Sequence, residues 1–240
     1  MLLIYPPLTK ACEAPAGVHR LAGTLRQGGR QVRVWDANLE AQLWLIEQPP
    51  VLDDTRSIRA YRNRERSLAL IRNPNGYQGA SEQYRSAVFD LDHLLAHRGQ
   101  EVGARLGLAD YRHSSIMPVR SADLVRAYQN PAEDLFYSFF EQHLDAQLAD
   151  AEAVGISLSF LSQAVPVFAL LGMIRRLRPT MKIYLGGGLI TSWNQHPSWA
   201  DPFSGFFDGW VAGPGEQELC RLIGVPYGKT PHDPLAYYAV

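Results

Sequence analysis

The stretch VGISLSFLSQAVPVFALLGMIRRLRPTMKIYLGGG (residues 154–188) contains a complete strand–helix–strand unit. A short apolar run at residues 154–158 meets small polar residues, and a helix-length segment then ends in three arginines just before Pro179. Cations in a last helical turn and a proline beyond it are typical of a helix end. Residues 183–185 predict a second buried strand. A strand, a crossover helix and a parallel strand make a βαβ unit.

The strand ends of this unit carry the first candidate site. Ligands of such units bind where the carboxyl ends of the strands meet loops. Those ends hold Ser157 and Ser159 after the first strand, and Gly186, Gly187 and Gly188 after the second. Glycines at the end of a strand let another surface approach the backbone closely. We therefore expect a binding edge here.

The same pattern continues toward both ends of the chain. Residues 2–5 and 31–36 predict two strands, and residues 15–27 between them predict an amphipathic helix. Near the other end, residues 207–212 predict a fifth strand, and residues 216–223 predict a short helix after a glycine-rich turn.

Five parallel strands with crossover helices predict an α/β fold with a doubly wound sheet. The expected type is flavodoxin-like, or Rossmann-like, with strand order 2-1-3-4-5. This order would place the loops at residues 6–15 and 159–163 on either side of the ligand crevice. Residues 189–206 are expected to form a long loop beside it.

Residues 37–150 differ from the rest, because they are rich in Arg, Asp, Glu and Gln and poor in β-branched runs. Helical patterns occur at residues 38–47, 81–97 and 131–150, with turn residues at 73–79. A plain crossover is much shorter than this region. We predict a helical insertion between strands 2 and 3 that caps the ligand edge. Residues 1–223 would then form one domain, with a linker-like tail at 224–240.

Composition excludes several classes of function. The 240 residues are 46% hydrophobic and 20% charged, as in an ordinary globular protein, and the net charge of −1 gives no argument for nucleic acid. The apolar run before Pro6 is too short for a signal peptide, and residues 164–174 are too short to span a bilayer. We expect a cytoplasmic protein that binds neither nucleic acid nor membrane. Two cysteines, Cys12 and Cys220, cannot hold a four-cysteine iron–sulfur cluster.

In motif order and spacing, the chain resembles the N-terminal cobalamin-binding domain of cobalamin-dependent radical S-adenosylmethionine enzymes. The first block, residues 2–39, contains YPPLT and GGRQVRVWDANL. The second block, residues 154–219, contains VGISLSF, LGGGLITS and FDGWVAGPGEQEL. The two blocks cover a little under half of the chain.

The resemblance implies a corrinoid on the carboxyl edge of the sheet, with its nucleotide tail threaded into the protein. The segment from Ser159 to Leu161 matches the Ser-x-Leu motif, whose hydroxyl meets the base of the tail, and Gly186 and Gly187 match the glycine pair that leaves room for it. The full set of cofactor-binding residues expected from the resemblance is Leu8, Thr9, Lys10, Ser157, Ser159, Leu161, Gly186, Gly187, Gly188, Gly213 and Glu216.

Simpler interpretations of these residues stay open. Ser157 and Ser159 would also fit as ordinary residues at a strand end, with the glycines only forming a turn. The turn at Gly213 could offer helix amides to a corrinoid amide or a phosphate, or it could simply precede a helix with a favourable Glu216 in its first turn.

The chain departs from the family in two places. Classical cobalamin carriers have Asp-x-His-x-x-Gly after the first strand, and here His19 is the only part of the motif that remains. The resemblance therefore implies base-off cobalamin without a protein imidazole on cobalt. The Cys-x-x-x-Cys-x-x-Cys motif of the catalytic half does not occur either. No catalysis is expected from this chain alone, and the radical S-adenosylmethionine domain would act in cis or in trans.

Two alternatives to cobalamin binding remain at this stage. One is a degenerate domain that serves as a protein-interaction or regulatory module. The other is a flavin or nucleotide binder that uses the same edge. A possible metal pair, His93 and His97, is four residues apart on a predicted helix, but without a third ligand it is expected to lie on a solvated helix face.

Overall fold

A computed structural model describes residues 1–49, 54–76, 81–196 and 199–228. The strands are β1 (Leu2–Ile4), β2 (Arg33–Trp35), β3 (Ala104–Leu106), β4 (Tyr111–His113), β5 (Ala153–Ser157), β6 (Lys182–Gly186) and β7 (Gly209–Val211). The helices are α1 (Ala16–Gln27), α2 (Ala37–Glu47), α3 (Thr55–Arg72), α4 (Ser81–Glu101), α5 (Ser121–Gln129), α6 (Tyr137–Leu148), α7 (Ala164–Leu177), α8 (Gly188–Gln195) and α9 (Gly215–Ile223).

Five of the strands form one all-parallel sheet in the order β2-β1-β5-β6-β7. The α/β class and the five-stranded parallel sheet are therefore confirmed. The predicted strand order was 2-1-3-4-5, so the numbers of the last three strands differ from those observed. The difference arises because β3 and β4 form an antiparallel hairpin within the insertion, outside the sheet, which the sequence pattern did not predict.

Helices cover both faces of the sheet. Side chains alternate along each strand, so each strand contributes side chains to the cores on both faces. Leu2 and Ile4 of β1 face a large core that includes α7 and the insertion. Leu3, between them, faces a smaller core formed with α1 and α9. Sheets of this kind bury both faces, which explains why the strands have almost continuous apolar sequences.

α7 is buried on all sides, since every residue from Ala164 to Ile174 is less than a tenth exposed. The sheet covers one side of this helix, and α5 and α6 cover the other. The closest approach is at Gly172, where an added Cβ would lie 2.0 Å from the carbonyl oxygen of Tyr128 at the end of α5. α7 therefore joins the insertion and the sheet into one core.

The insertion packs on the face of the sheet that α7 covers, and its hairpin contacts the loop after β5 at the carboxyl edge. Its helices pack on one another and on α7, and its aromatic side chains, including Phe136 and Phe140, belong to the same core as the sheet. None of the described residues between 37 and 150 lines the cavity on the opposite face. The insertion thus stabilises the large core, while the opposite face of the sheet stays free of it.

Two predicted elements are wrong. The single helix at residues 131–150 is interrupted, because a 3-10 turn at Pro131–Glu133 is followed by Asp134 in an extended conformation, and α6 begins only at Tyr137. The loop predicted at residues 189–206 begins with a helix, α8, which starts at Gly188, the last of the three glycines. Residues 77–79 of the predicted turn and residues 229–240 of the predicted tail lie outside the described residues.

Asp134 is a buried carboxyl group at this interruption. Its Oδ1 atom accepts a hydrogen bond from the backbone N–H of Phe136 (2.9 Å), and its Oδ2 atom accepts one from the hydroxyl of Tyr111 (3.1 Å). Burial raises the pKa of Asp134 to about 7, although both hydrogen bonds act in the opposite direction. Burial and the charge of Asp134 also raise the pKa of Tyr111.

Replacing Gly172 by alanine should lower the free energy of unfolding by about 3 kcal/mol, because the new methyl group would overlap the carbonyl of Tyr128. Gly17 of α1 is the matched control: it is also helical, but a Cβ there meets nothing within 4 Å. Gly17→Ala should therefore stabilise the protein by up to about 1 kcal/mol through helix propensity. Urea denaturation measures both values, and equal effects would contradict the close contact of α5 with α7.

The ionisation of Asp134 should make stability fall as pH rises from about 4 to about 7. Its pKa is about 7 in the folded state, and the reference value of 3.8 applies to the unfolded state. Between these two pH values the folded state keeps a proton that the unfolded state has lost. The loss should approach about 4 kcal/mol. Asp134→Asn removes the titrating group, so its stability should change less over this range. Parallel profiles for the two proteins would show that Asp134 does not titrate this way.

Candidate functional site

A cavity of about 510 Å³ lies on the face of the sheet that α1 and α9 cover. Its floor contains Leu3, Gly155 and Tyr184, which are directly opposite one another on β1, β5 and β6. Val18 of α1 and Leu219 of α9 line it from above. Most of the lining is thus apolar, and the volume is in the range of pockets that hold organic ligands.

Missing side chains in the sheet create this space. Gly155 is in the middle of β5, and Gly186, the last residue of β6, belongs to the next row of side chains on the same face. A Cβ on Gly155 would lie 2.7 Å from Cδ2 of Leu3, so any larger residue would push that leucine into the cavity. A glycine inside a strand is often found where a ligand or another backbone approaches closely.

Polar groups gather at the carboxyl ends of β5 and β6. The hydroxyl oxygens of Ser157 and Ser159 are 3.4 Å apart, and the backbone N–H of Gly188 points at Ser159 Oγ, also at 3.4 Å. Thr191 of α8 accepts a hydrogen bond from the backbone N–H of Gly213 through its hydroxyl oxygen (2.8 Å). The hydroxyl of Thr191 therefore joins the start of α8 to the turn before α9.

An ion pair between Arg20 of α1 and Glu216 of α9 forms another part of the lining. The carboxylate of Glu216 is largely buried, whereas nearly half of the Arg20 side chain is exposed. Arg20 and Glu216 are the charged side chains among the described residues that line the cavity, and their charges cancel. Such a site favours ligands with few charges over highly phosphorylated ones.

The structure brings together seven of the eleven predicted site residues and leaves four elsewhere. Those that line the cavity are Ser157, Ser159, Gly186, Gly187, Gly188, Gly213 and Glu216. Those outside its lining are Leu8, Thr9, Lys10 and Leu161. Lys10 and Leu161 are exposed, whereas Leu8 is part of the large core.

The loop after β1 has a structural function that explains this difference. The side-chain amide of Gln163 donates to the carbonyl of Pro6 (2.7 Å), and the hydroxyl of Ser162 donates to the carbonyl of Leu8 (2.8 Å). The backbone N–H of Thr9 donates to the side chain of Asn38 on α2 (2.8 Å). The two loops predicted to flank a crevice are thus bonded to each other, and the cavity extends from β1 across to β7.

Gly186 and Gly187 are also required by the backbone itself. Gly187 has a φ of +111°, and a Cβ there would lie 2.4 Å from the carbonyl oxygen of Leu158. At Gly186 a Cβ would lie 3.0 Å from the carbonyl oxygen of Val211. Gly188 is different, because its nearest neighbour would be Ser159 O at 3.5 Å. The close approach of three strand ends therefore accounts for the first two glycines.

The histidines singled out in the sequence lie away from the cavity lining. Burial raises the pKa of Asp36, and the charge of nearby His19 acts against this shift, which places His19 beside the start of α2. The solvated helix face predicted for the histidine pair is wrong for His97, which is only 4% exposed. His93 bonds to the hydroxyl of Ser57 (3.0 Å). Within the described ranges, no group of three His, Cys, Asp or Glu residues could hold a metal ion.

Several residues of the cavity were not predicted from the sequence: Gly155, Arg20, Thr191, Tyr184 and the apolar residues of α1 and α9. Gly155 had a detectable signal, since a lone glycine inside the apolar run of β5 is unusual. Arg20 and Thr191 had none, because only the packing of α1 and α8 beside the sheet brings them to the site.

Comparisons of the chain with protein-family models, with curated proteins and with solved structures found no match. Among the described helices, none has both the length and the apolar character needed to cross a membrane.

Gly187→Ala should lower the free energy of unfolding by about 3 kcal/mol, because it adds a Cβ to a left-handed backbone position against the carbonyl of Leu158. Gly188→Ala, one residue later, should change it by less than about 1 kcal/mol, since the methyl group would make an ordinary contact. Chemical denaturation of both variants tests this. Full stability of the Gly187 variant would mean that this glycine serves a ligand only.

Proposed function

We propose that this protein is a cobalamin-binding module, which holds the corrinoid for a radical S-adenosylmethionine domain in cis or in trans. The observation that carries the proposal is the cavity above Gly155, which reaches the strand ends where the cobalamin-binding motifs of the sequence also lie. The proposal includes a flavodoxin-like arrangement of the sheet. In that arrangement the parallel strands would be ordered 2-1-3-4-5 when the hairpin of the insertion is left out of the numbering.

The lining of the cavity fits the nucleotide tail of a corrinoid. An aromatic heterocycle needs apolar walls, which Leu3, Tyr184 and Leu219 provide. It also needs a polar partner for its ring nitrogen, because an unpaired buried acceptor is costly. The hydroxyls of Ser157 and Ser159 are the partners at the strand ends.

The corrin ring would lie outside the cavity, at the carboxyl edge of the sheet. Phe160 and Leu161 follow β5 at this edge and are 55% and 45% exposed. Exposed apolar side chains of this size favour a flat apolar surface, either the ring or a partner domain that covers it. When bound, cobalamin would supply methyl-transfer chemistry at cobalt. The residues of this chain bind and orient it, and no imidazole among the lining residues reaches toward the metal.

The charge of the site separates this proposal from a flavin or nucleotide binder. Phosphate-binding sites need helix amides or cations that are free to meet an anion. Here Arg20 is paired with Glu216, and that carboxylate occupies the first turn of α9. A ligand with several phosphates would meet this carboxylate. The balance of charge therefore favours an extended, weakly charged heterocyclic ligand.

Incubation of the protein with hydroxocobalamin followed by desalting tests the proposal. We expect the visible absorbance of cobalamin to remain with the protein at about one equivalent. Protein that stays colourless in repeated trials would overturn cobalamin binding and favour the protein-interaction module. A flavin spectrum in the freshly purified protein would instead support the flavin alternative.

Gly155→Val should lower the affinity for hydroxocobalamin at least about tenfold, since the new side chain would narrow the cavity and displace Leu3. Ala153→Val is the matched control, because it adds the same side chain on the same face of β5 outside the cavity lining. Equilibrium titration of both variants, with thermal unfolding as a folding check, measures the difference. If the wild type binds and Gly155→Val binds equally well, the tail does not enter this cavity.

A further inference from the structure

α3 carries a stripe of exposed arginines. Its buried residues are Ser57, Ala60, Ser67 and Leu68, and this side packs on α4. Arg59, Arg62 and Arg66, at i, i+3 and i+7, are exposed, and Arg59 and Arg66 border a groove that Asp90 of α4 also lines. These three residues are called the arginine stripe below. Arg56, also exposed, lies beside it.

The arginines of the stripe have no acidic partners among the described residues. Some exposed arginines elsewhere pair with carboxylates, for example Arg126 with Glu133 (2.6 Å) and Arg178 with Asp145 (2.7 Å). The one acidic residue inside α3, Glu65, is instead close to Arg64 (3.4 Å). No direct ion pair within the described chain therefore neutralises the stripe, although Asp90 of α4 lines the same groove as Arg59 and Arg66.

This arrangement is unfavourable for the helix itself. Arg59 and Arg62 are three residues apart and Arg62 and Arg66 are four apart, spacings at which like charges destabilise a helix. The extensive packing of α3 on α4 holds the helix in place despite this repulsion. A surface that keeps repelling charges together at the edge of the fold is suited to an anionic partner.

The charge of the whole chain limits what that partner is. α3 holds six of the 23 basic residues and one of the 24 acidic residues, which gives the helix a charge of +5. The remaining chain, with 17 basic and 23 acidic residues, has a charge of −6. A long polyanion such as nucleic acid would meet this acidic remainder, whereas a short acidic segment would contact the stripe alone.

The dimensions of the stripe also favour a short acidic segment as the partner. Arg66 is seven positions after Arg59 on the helix, which corresponds to about 10 Å, or two helical turns. Carboxylates at i, i+3 and i+7 on a second helix have the same spacing. Arginine also forms bidentate hydrogen bonds with carboxylates, so a planar acidic group suits each position.

We propose that the arginine stripe of α3 is a docking surface for an acidic helical segment of a partner protein. This surface is separate from the cavity, because none of its residues lines that site. It would bind its partner whether or not the cavity holds cobalamin. Association should be strongly salt-dependent, since the contacts join exposed charges.

A fluorescent, alanine-based helical peptide with glutamates at i, i+3 and i+7 is the probe, and its glutamine counterpart is the negative control. Fluorescence anisotropy with the full 240-residue chain should detect binding of the glutamate peptide at low salt. The dissociation constant should rise at least about tenfold between 50 mM and 300 mM NaCl.

Arg62→Glu separates docking from a purely structural function of the stripe. The new glutamate would be three residues from Arg59 and four from Arg66, so it should raise the melting temperature by about 1–2 °C. At the same time it should weaken peptide binding at least about tenfold. Arg112→Glu is the control, because Arg112 is also exposed but belongs to β4, and its variant should bind like the wild type.

The outcomes are distinct. Binding of the glutamate peptide that is lost in Arg62→Glu and kept in Arg112→Glu supports the proposal. Binding of a DNA duplex or of anionic phospholipid vesicles through Arg62, without binding of the peptide, would replace the acidic segment by a phosphate-bearing partner. Equal affinity of wild type and Arg62→Glu for the peptide, or no binding of any probe, overturns the docking surface.

Discussion

The burial of residues 164–174 of α7 on all sides is the constraint on which the rest of the structure depends. A helix that is apolar on all sides must be covered on all sides. The sheet covers only one of them, so α5 and α6 of the insertion cover the other, and their backbones come close enough that Gly172 has no room for a side chain. This requirement explains why a long insertion between β2 and β5 is part of the main core. It also explains why the insertion lies on the face of the sheet opposite the cavity.

The other face of the sheet is more thinly covered, and the candidate site results from this asymmetry. α1 and α9 pack there against a small core, and two glycines, Gly155 and Gly186, leave gaps in the rows of side chains beneath them. Tyr184 and the apolar residues of α1 and α9 belong to this small core, and the cavity lies among them. The cavity is thus a consequence of where the sheet lacks side chains. The polar end of the cavity is formed by hydroxyl and backbone N–H groups at the carboxyl ends of β5 and β6.

Charge is distributed in a similarly uneven way. Around the cavity, Arg20 and Glu216 neutralise each other, and the edge of the sheet presents hydroxyls, amides and exposed apolar rings. At the periphery, α3 concentrates unpaired arginines on one side. A neutral binding site and a basic docking surface in one chain would let a ligand and a partner protein be recognised independently.

The sequence by itself determined the elements whose signal is local. The strand–helix–strand unit at residues 154–188, the parallel sheet and the five site residues that end or follow β5 and β6 were predicted from apolar runs, helix-end signals and glycines, whereas Gly213 and Glu216 were expected from the resemblance. Only the tertiary structure determined which strand ends line the cavity. Hydrogen bonds with Asn38 and Ser162 hold the loop of Leu8 and Thr9 in place. Arg20 and Thr191 reach the cavity because of how their helices pack. The physical reason is that hydrogen bonds and packing between segments distant in sequence leave no periodic pattern in the chain, whereas burial of a strand or helix does.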